Sequence, residues 1–157
     1  MELLWEELIG GFPDGRRLAI VAIRVIVATA LGAVLGLERE RAGKPAGLRT
    51  HMLVSLGTAV VVLACSGAGM DLDGQSRVIQ GIVTGIGFIG AGTILKLNES
   101  REIQGLTTAA GLWMTAAIGV AVGLGAIGLA LIGTVVTLII LALEYWTNSS
   151  SNFEDKK

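Results

Sequence analysis

LAIVAIRVIVATALGAVLGL, residues Leu18 to Leu37, holds twenty residues and a single charged side chain, Arg24. A helix needs about 20 predominantly apolar residues to cross the hydrocarbon core of a bilayer, and in lipid only a helix or a closed barrel satisfies its own backbone hydrogen bonds. The stretch therefore predicts a transmembrane helix. Four further apolar runs follow, at Met52–Gly69, Val78–Leu95, Leu106–Val122 and Ala126–Leu143. Charged or turn-forming segments separate them: Glu38–Pro45, Asp71–Gly74, Asn98–Glu102 and Gly123–Gly125. The last is so short that the fourth and fifth runs must form a tight antiparallel hairpin.

Composition agrees with lipid as the solvent. Of the 157 residues 52% are hydrophobic and 16% charged, against about 25% charged in an ordinary soluble domain. The mean hydropathy is +0.71. A formal net charge of −1 offers no basic face for nucleic acid. One cysteine, Cys65, excludes an intrachain disulfide and reads as a small buried hydrophobe. The predicted fold is an all-α membrane protein, a polytopic bundle of about five transmembrane helices. Residues 1–17 form an N-terminal interfacial segment, 18–146 the transmembrane domain and 147–157 a short cytoplasmic tail, disordered from Ser149. Trp5, Leu8, Ile9 and Phe12 among acidic residues suit the first segment to the membrane interface.

Orientation follows from the basic residues. With the N terminus outside, the inner side holds Arg39, Arg41, Lys44, Arg49, Lys96, Arg101, Lys156 and Lys157. The outer side holds only Arg16, Arg17 and Arg77. The expectation is N-out and C-in.

Glycine is abundant, 23 in all, and much of it lies inside the runs. In a membrane, small residues four apart let helix backbones approach closely. Ala28, Gly32 and Gly36 do so in the first run, Gly81 and Gly85 in the third, and Gly111, Thr115, Gly119 and Gly123 in the fourth. These positions, with Gly87, Gly90 and Gly92, are read as helix-packing sites; a path lining or a hinge is the second reading. Gly85, Gly87 and Gly90 also match the glycine spacing of a dinucleotide-binding turn. That turn must follow a strand and open a soluble helix, and this one sits in a continuous apolar run. A bend at mid-membrane is the expectation instead.

Gly85-Ile-Gly-Phe-Ile-Gly-Ala-Gly-Thr-Ile94, Gly105-Leu-Thr-Thr-Ala-Ala-Gly-Leu-Trp113 and Ala116-Ala-Ile-Gly119 resemble the MgtC/SapB family. Gly36-Leu-Glu38-Arg39, Gly47-Leu-Arg-Thr-His51 and Ser76-Arg77 are similar to further segments of that family, and all stand in its order between Arg24 and Leu143. The resemblance implies a bacterial inner-membrane protein tied to growth under magnesium limitation and, in some pathogens, to survival inside host cells. It also implies contact with another membrane protein, since members similar to MgtC are associated with restraint of the rotary ATPase. Those members carry a soluble C-terminal domain, whereas this sequence ends soon after the fifth run, so activities of that domain are not carried over.

The charged residues near the membrane are the candidate polar sites: Arg24, Asp73 and Arg77 on the outer side, Glu38, Arg39 and Arg49 on the inner. An ionisable group inside a span is a functional candidate with an expected partner. For Arg24 the partners on its side are Asp71 and Asp73; the second reading is a side chain that snorkels to the interface. Glu38 pairing with Arg49 would fix how the first two helices meet, and the same collar reads either as a topology signal or as a partner- or ion-binding surface. His51 reads as an interfacial polar residue. One His and one Cys far apart in the chain supply no catalytic constellation, and no cofactor is expected. Asp71 and Asp73 would hold magnesium only loosely, as two carboxylates with retained waters. The small-residue faces predict a homodimer. Two functions remain, a non-enzymatic regulator acting by contact and a magnesium transporter or channel; packing faces and the lack of a mid-membrane carboxylate favour the regulator.

Overall fold

Five helices occupy the residues described by the computed structural model, 15–96 and 103–154. They are α1 (Gly15–Arg41), α2 (Leu48–Gly67), α3 (Leu72–Gly92), α4 (Leu106–Leu124) and α5 (Ile127–Glu154). Between α3 and α4 a two-stranded antiparallel hairpin joins β1 (Leu95–Lys96) to β2 (Ile103–Gln104). The chain is an all-α membrane protein. Three helices, α1, α2 and α4, are long and apolar enough to cross a membrane, and the apolar part of α5 runs from Ile127 to Leu143. Helix α3 has the length, but Asp73, Gln75, Arg77 and Gln80 crowd its first turns. Of the interfacial segment expected at residues 1–17, residues 1–14 lie outside the described residues.

Several boundaries differ from the sequence reading. Gly15 to Arg17 belong to α1 itself, and α2 begins four residues earlier than Met52. The third run was read as helix to Leu95; α3 stops at Gly92 and Leu95 is in the hairpin. The disorder expected from Ser149 is not seen through Glu154, where the chain is helical. Helix α3 runs without interruption through Gly85–Gly90: the i to i−4 ladder needs no side chain, and glycine alone does not open it.

Helix α4 is the axis of the bundle. It touches all four other helices, and its inward face, from Thr108 through Leu112, Thr115 and Gly119 to Val122, is buried. Helices α1 and α2 form an antiparallel pair against it. Their shared core is Ala28, Leu31, Leu35, Ala59, Ile118, Val122 and Ala130. Three alanines sit among its branched residues; lipid gives no hydrophobic drive between helices, leaving close packing and interhelical hydrogen bonds to hold the bundle. The Thr58 hydroxyl lies 3.2 Å from the Ala116 carbonyl of α4, but its one hydrogen is shared with the nearer Val54 and Ser55 carbonyls of its own helix, at 3.0 and 3.1 Å. The α4–α5 hairpin expected from sequence is made by Gly125 at φ 89° and Ala126. Glycine is required there by that left-handed backbone.

Candidate functional site

The joint between α1 and α2 is built from charge. Gly47 begins α2 with no side chain to cap it. The need is met from eight residues back, where Glu40 accepts a hydrogen bond from the Leu48 backbone N–H at 2.8 Å. A carboxylate there also suits the positive end of the helix dipole. Glu38 takes Arg39 in two hydrogen bonds, from Nε and from Nη2, the latter at 2.7 Å. Arg39 is only 1% exposed, with Glu38 at its open edge. The pairing expected between Glu38 and Arg49 is not formed: Glu38 is committed to Arg39, and Arg49 points outward from the first turn of α2.

One turn into α2, His51 is completely buried. The interfacial reading of this residue is corrected by its place between α1 and α4. Its Nδ1 lies 2.7 Å from Thr115 Oγ1. The Thr115 hydroxyl also reaches the Gly111 carbonyl at 2.8 Å, and which of His51 Nδ1 and Thr115 Oγ1 donates to the other depends on the ring's tautomer. Nε2 on the far side of the ring, and Ser55 Oγ one turn on, have no hydrogen-bond partner among the described residues. Gly111 faces the ring, which lies 3.7 Å from where a Cβ would stand, an ordinary contact. The result is a buried polar spot, His51, Ser55, Thr108 and Thr115, in the half of the α1–α2–α4 interface nearer Arg39. Among the described residues no three His, Cys, Asp or Glu side chains gather as a metal-holding group.

The opposite end of the bundle holds Arg24. Its Nη1 donates to the Gly123 carbonyl at 2.9 Å. This is one of the last carbonyls of α4, which lack a partner within their own helix and carry the negative end of its dipole. Among the described residues no ion pair joins Arg24 to Asp71 or Asp73. Asp71 instead caps α3, accepting from the Gly74 N–H at 2.8 Å. Asp73 and Arg77, one turn apart on α3, are exposed. The six polar candidates thus fall into two groups at the two ends: Arg24 with Asp73 and Arg77, and Glu38 and Arg39 with Arg49.

A sequence model of the MgtC family matches residues 25–149. The chain belongs to the MgtC family. It is 42% identical over 141 residues to SrpB of Synechococcus elongatus, a match covering 83% of this chain and 77% of SrpB. YhiD of Escherichia coli K12, a proposed magnesium transporter, is 44% identical over 129 residues, covering 76% of this chain and 58% of YhiD. MgtC of Salmonella typhimurium LT2 is 43% identical over 116 residues, covering 74% of this chain and 48% of MgtC. The chain therefore spans under two thirds of YhiD and about half of MgtC. No solved structure matches it.

Within this MgtC-family chain the glycines divide. A Cβ on Gly32 would stand 2.6 Å from the His51 carbonyl oxygen, one on Gly36 2.7 Å from Leu48 Cα, and one on Gly119 would overlap the Thr58 side chain and the Ser55 carbonyl. Gly111 faces His51 and Gly90 rests on Ala109. Among the described residues a Cβ on Gly81, Gly85, Gly87 or Gly92 would meet nothing within 4 Å, so the close packing read for them is not made there. Beside them Phe88 is 85% exposed. Sequence reading passed over Glu40 as a cap and His51 as a buried group. The first had a signal, a helix start at Gly47 with no capping side chain; the second had none, because a histidine at a helix start is ordinarily solvated.

Proposed function

We propose that this chain is a non-enzymatic, multi-pass protein of the bacterial inner membrane that serves adaptation to low magnesium by contact with other membrane proteins. Membership of the MgtC family supports the magnesium connection. The observation that carries the regulatory reading is the closed α1–α2–α4 interior. Arg24 and Arg39 stand toward the two ends of α1, and between them Gly32 and Gly36 bring its backbone against α2. A cation passing there would meet two guanidiniums and would have to part helices already in van der Waals contact. Translocation ordinarily needs carbonyl or carboxylate rings along a path. Magnesium transport is the second reading, favoured by the description of YhiD.

The test is reconstitution of the purified protein in liposomes that hold a magnesium-sensitive dye. We expect no flux above protein-free liposomes, while the same protein restores low-magnesium growth to a strain lacking its own copy. Saturable flux that is lost in Asp73→Asn or Arg24→Leu would establish transport instead.

An N-out, C-in arrangement is part of the proposal, supported by the excess of Lys and Arg on the inner side. Cysteines introduced at Gly10 and Ser149 should label from opposite faces; labelling from one face overturns it. A homodimer through the open glycine face of α3 completes the reading, with a membrane ATPase as one class of further partner. Mass measurement in nanodiscs checks the dimer, and a monomer at all concentrations would exclude it.

A further inference from the structure

Near the N-terminal end of α1 a groove of about 480 Å³ opens between α1 and the last turns of α2. Its walls include Val21, Val60, Leu63 and Ala64, and two cations, Arg17 and Arg24, border it. Both helices are long and apolar enough to span a bilayer, so the walls face lipid and not water. The two arginines are seven residues apart on one face of α1, about 10 Å along the axis at 1.5 Å per residue. Arg17 stands at the start of the apolar run, where headgroups lie, and Arg24 two turns deeper. None of the described residues that line the groove is acidic.

Arg24 is held in place. Its bond to the Gly123 carbonyl uses one of five guanidinium N–H groups and fixes the side chain beside the α4–α5 turn. Gly125 leaves room for it: a Cβ there would collide with the guanidinium. Arg17 is exposed and has no ion pair among the described residues.

We propose that this groove is a binding site for an anionic phospholipid, with one acyl chain along the α1–α2 walls and the headgroup phosphate between Arg17 and Arg24. The apolar walls select a lipid over a soluble anion. Two unbalanced positive charges select an anionic headgroup over a zwitterionic one, which brings its own ammonium into the same place. The half of the groove made by α1 up to Arg24 precedes the segment that matches the MgtC family, residues 25–149. The site is independent of whether the protein regulates or transports.

Native mass spectrometry of the full chain, released from mild detergent containing phosphatidylglycerol, phosphatidylethanolamine or inorganic phosphate, tests the site. We expect retained phosphatidylglycerol in preference to phosphatidylethanolamine. Arg17→Gln should weaken retention about fivefold, the factor given by about 1 kcal/mol of headgroup attraction per basic residue. Arg24→Gln should weaken it at least as much, but it also uncaps α4. Ala64→Phe therefore serves beside it, filling the groove with both charges intact, and should displace the lipid while thermal stability stays unchanged. Equal retention of the two lipids, retention insensitive to Arg17→Gln and Ala64→Phe, or inorganic phosphate binding as tightly as phosphatidylglycerol would each overturn the proposal.

Discussion

Gly32→Val is expected to lower the stability of the bundle by about 3 kcal/mol, the upper part of the range for overpacking a close-packed interior. A Cβ at this position already falls 2.6 Å from the His51 carbonyl oxygen and 2.9 Å from Ser55 Cβ. Backbone cannot rotate out of the way as a long side chain can, so α1 must move off α2 as a body. That movement also disturbs the burial of His51 and its contact with Thr115. In a chain of this size the cost corresponds to a fall in Tm of about 10 °C, readable by heating the detergent-solubilised protein and following the monodisperse fraction. Gly85→Ala is the control when read on the monomer, since the proposed dimer would cover this face. Its methyl meets open space within the chain, and replacing a helical glycine by alanine gains up to about 1 kcal/mol. A Tm unchanged by Gly32→Val would mean that α1 and α2 are not packed as described. A large loss in Gly85→Ala would mean that the α3 face is covered by a second molecule.

Arg39→Leu is expected to be at least as damaging, by about 3–5 kcal/mol, the range for breaking one partner out of a buried ion pair. Arg39 is 1% exposed and Glu38 28%, so removing the guanidinium leaves a carboxylate largely shielded from water with nothing to balance it. Glu38→Gln should cost less, because Glu38 is the partner nearer solvent and its amide oxygen still accepts from the guanidinium. The double variant Glu38→Gln/Arg39→Leu should lose clearly less than the sum of the two single losses, since no orphaned charge remains. Chemical unfolding of the four proteins in the same micelle gives the cycle. Strict additivity would show that the Glu38–Arg39 contact contributes nothing, and that Arg39 is held by its other surroundings alone.

Sequence reading located the helices well because lipid imposes a local rule. A spanning segment must be long, apolar and internally hydrogen-bonded, and each of these is written in consecutive residues. The short Gly123–Gly125 connection made the α4–α5 hairpin legible for the same reason. Ends were less legible. Helix α1 runs beyond Leu37 through charged Arg41, and α5 runs beyond Leu143 to Glu154, because a helix continues into polar sequence wherever nothing breaks it. The short β1–β2 hairpin offered only two residues on each side, too few for a period.

The candidate site was legible as a set of charges but not as pairs. Glu38 and Arg49 were matched on proximity along the chain, yet Arg39 is adjacent to Glu38 and buried beside it, so it takes the carboxylate first. The partner of Arg24 was sought among acids on the same side of the membrane. It is a backbone carbonyl 99 residues away, and the free carbonyls at a helix end carry no mark in the sequence.

What the sequence by itself determined is the solvent, the number and approximate extent of the apolar segments, and the family to which they belong. Only the tertiary structure decided which of several identical-looking glycine faces closes the bundle. Gly32, Gly36 and Gly119 touch neighbouring backbone while Gly81 and Gly85 look outward. The four-residue spacing of small residues says that one side of a helix is smooth; which helix, if any, lies against it depends on how all five are arranged. The same holds for His51, a polar residue at a helix start until α4 brings Thr115 to its ring from 64 residues away.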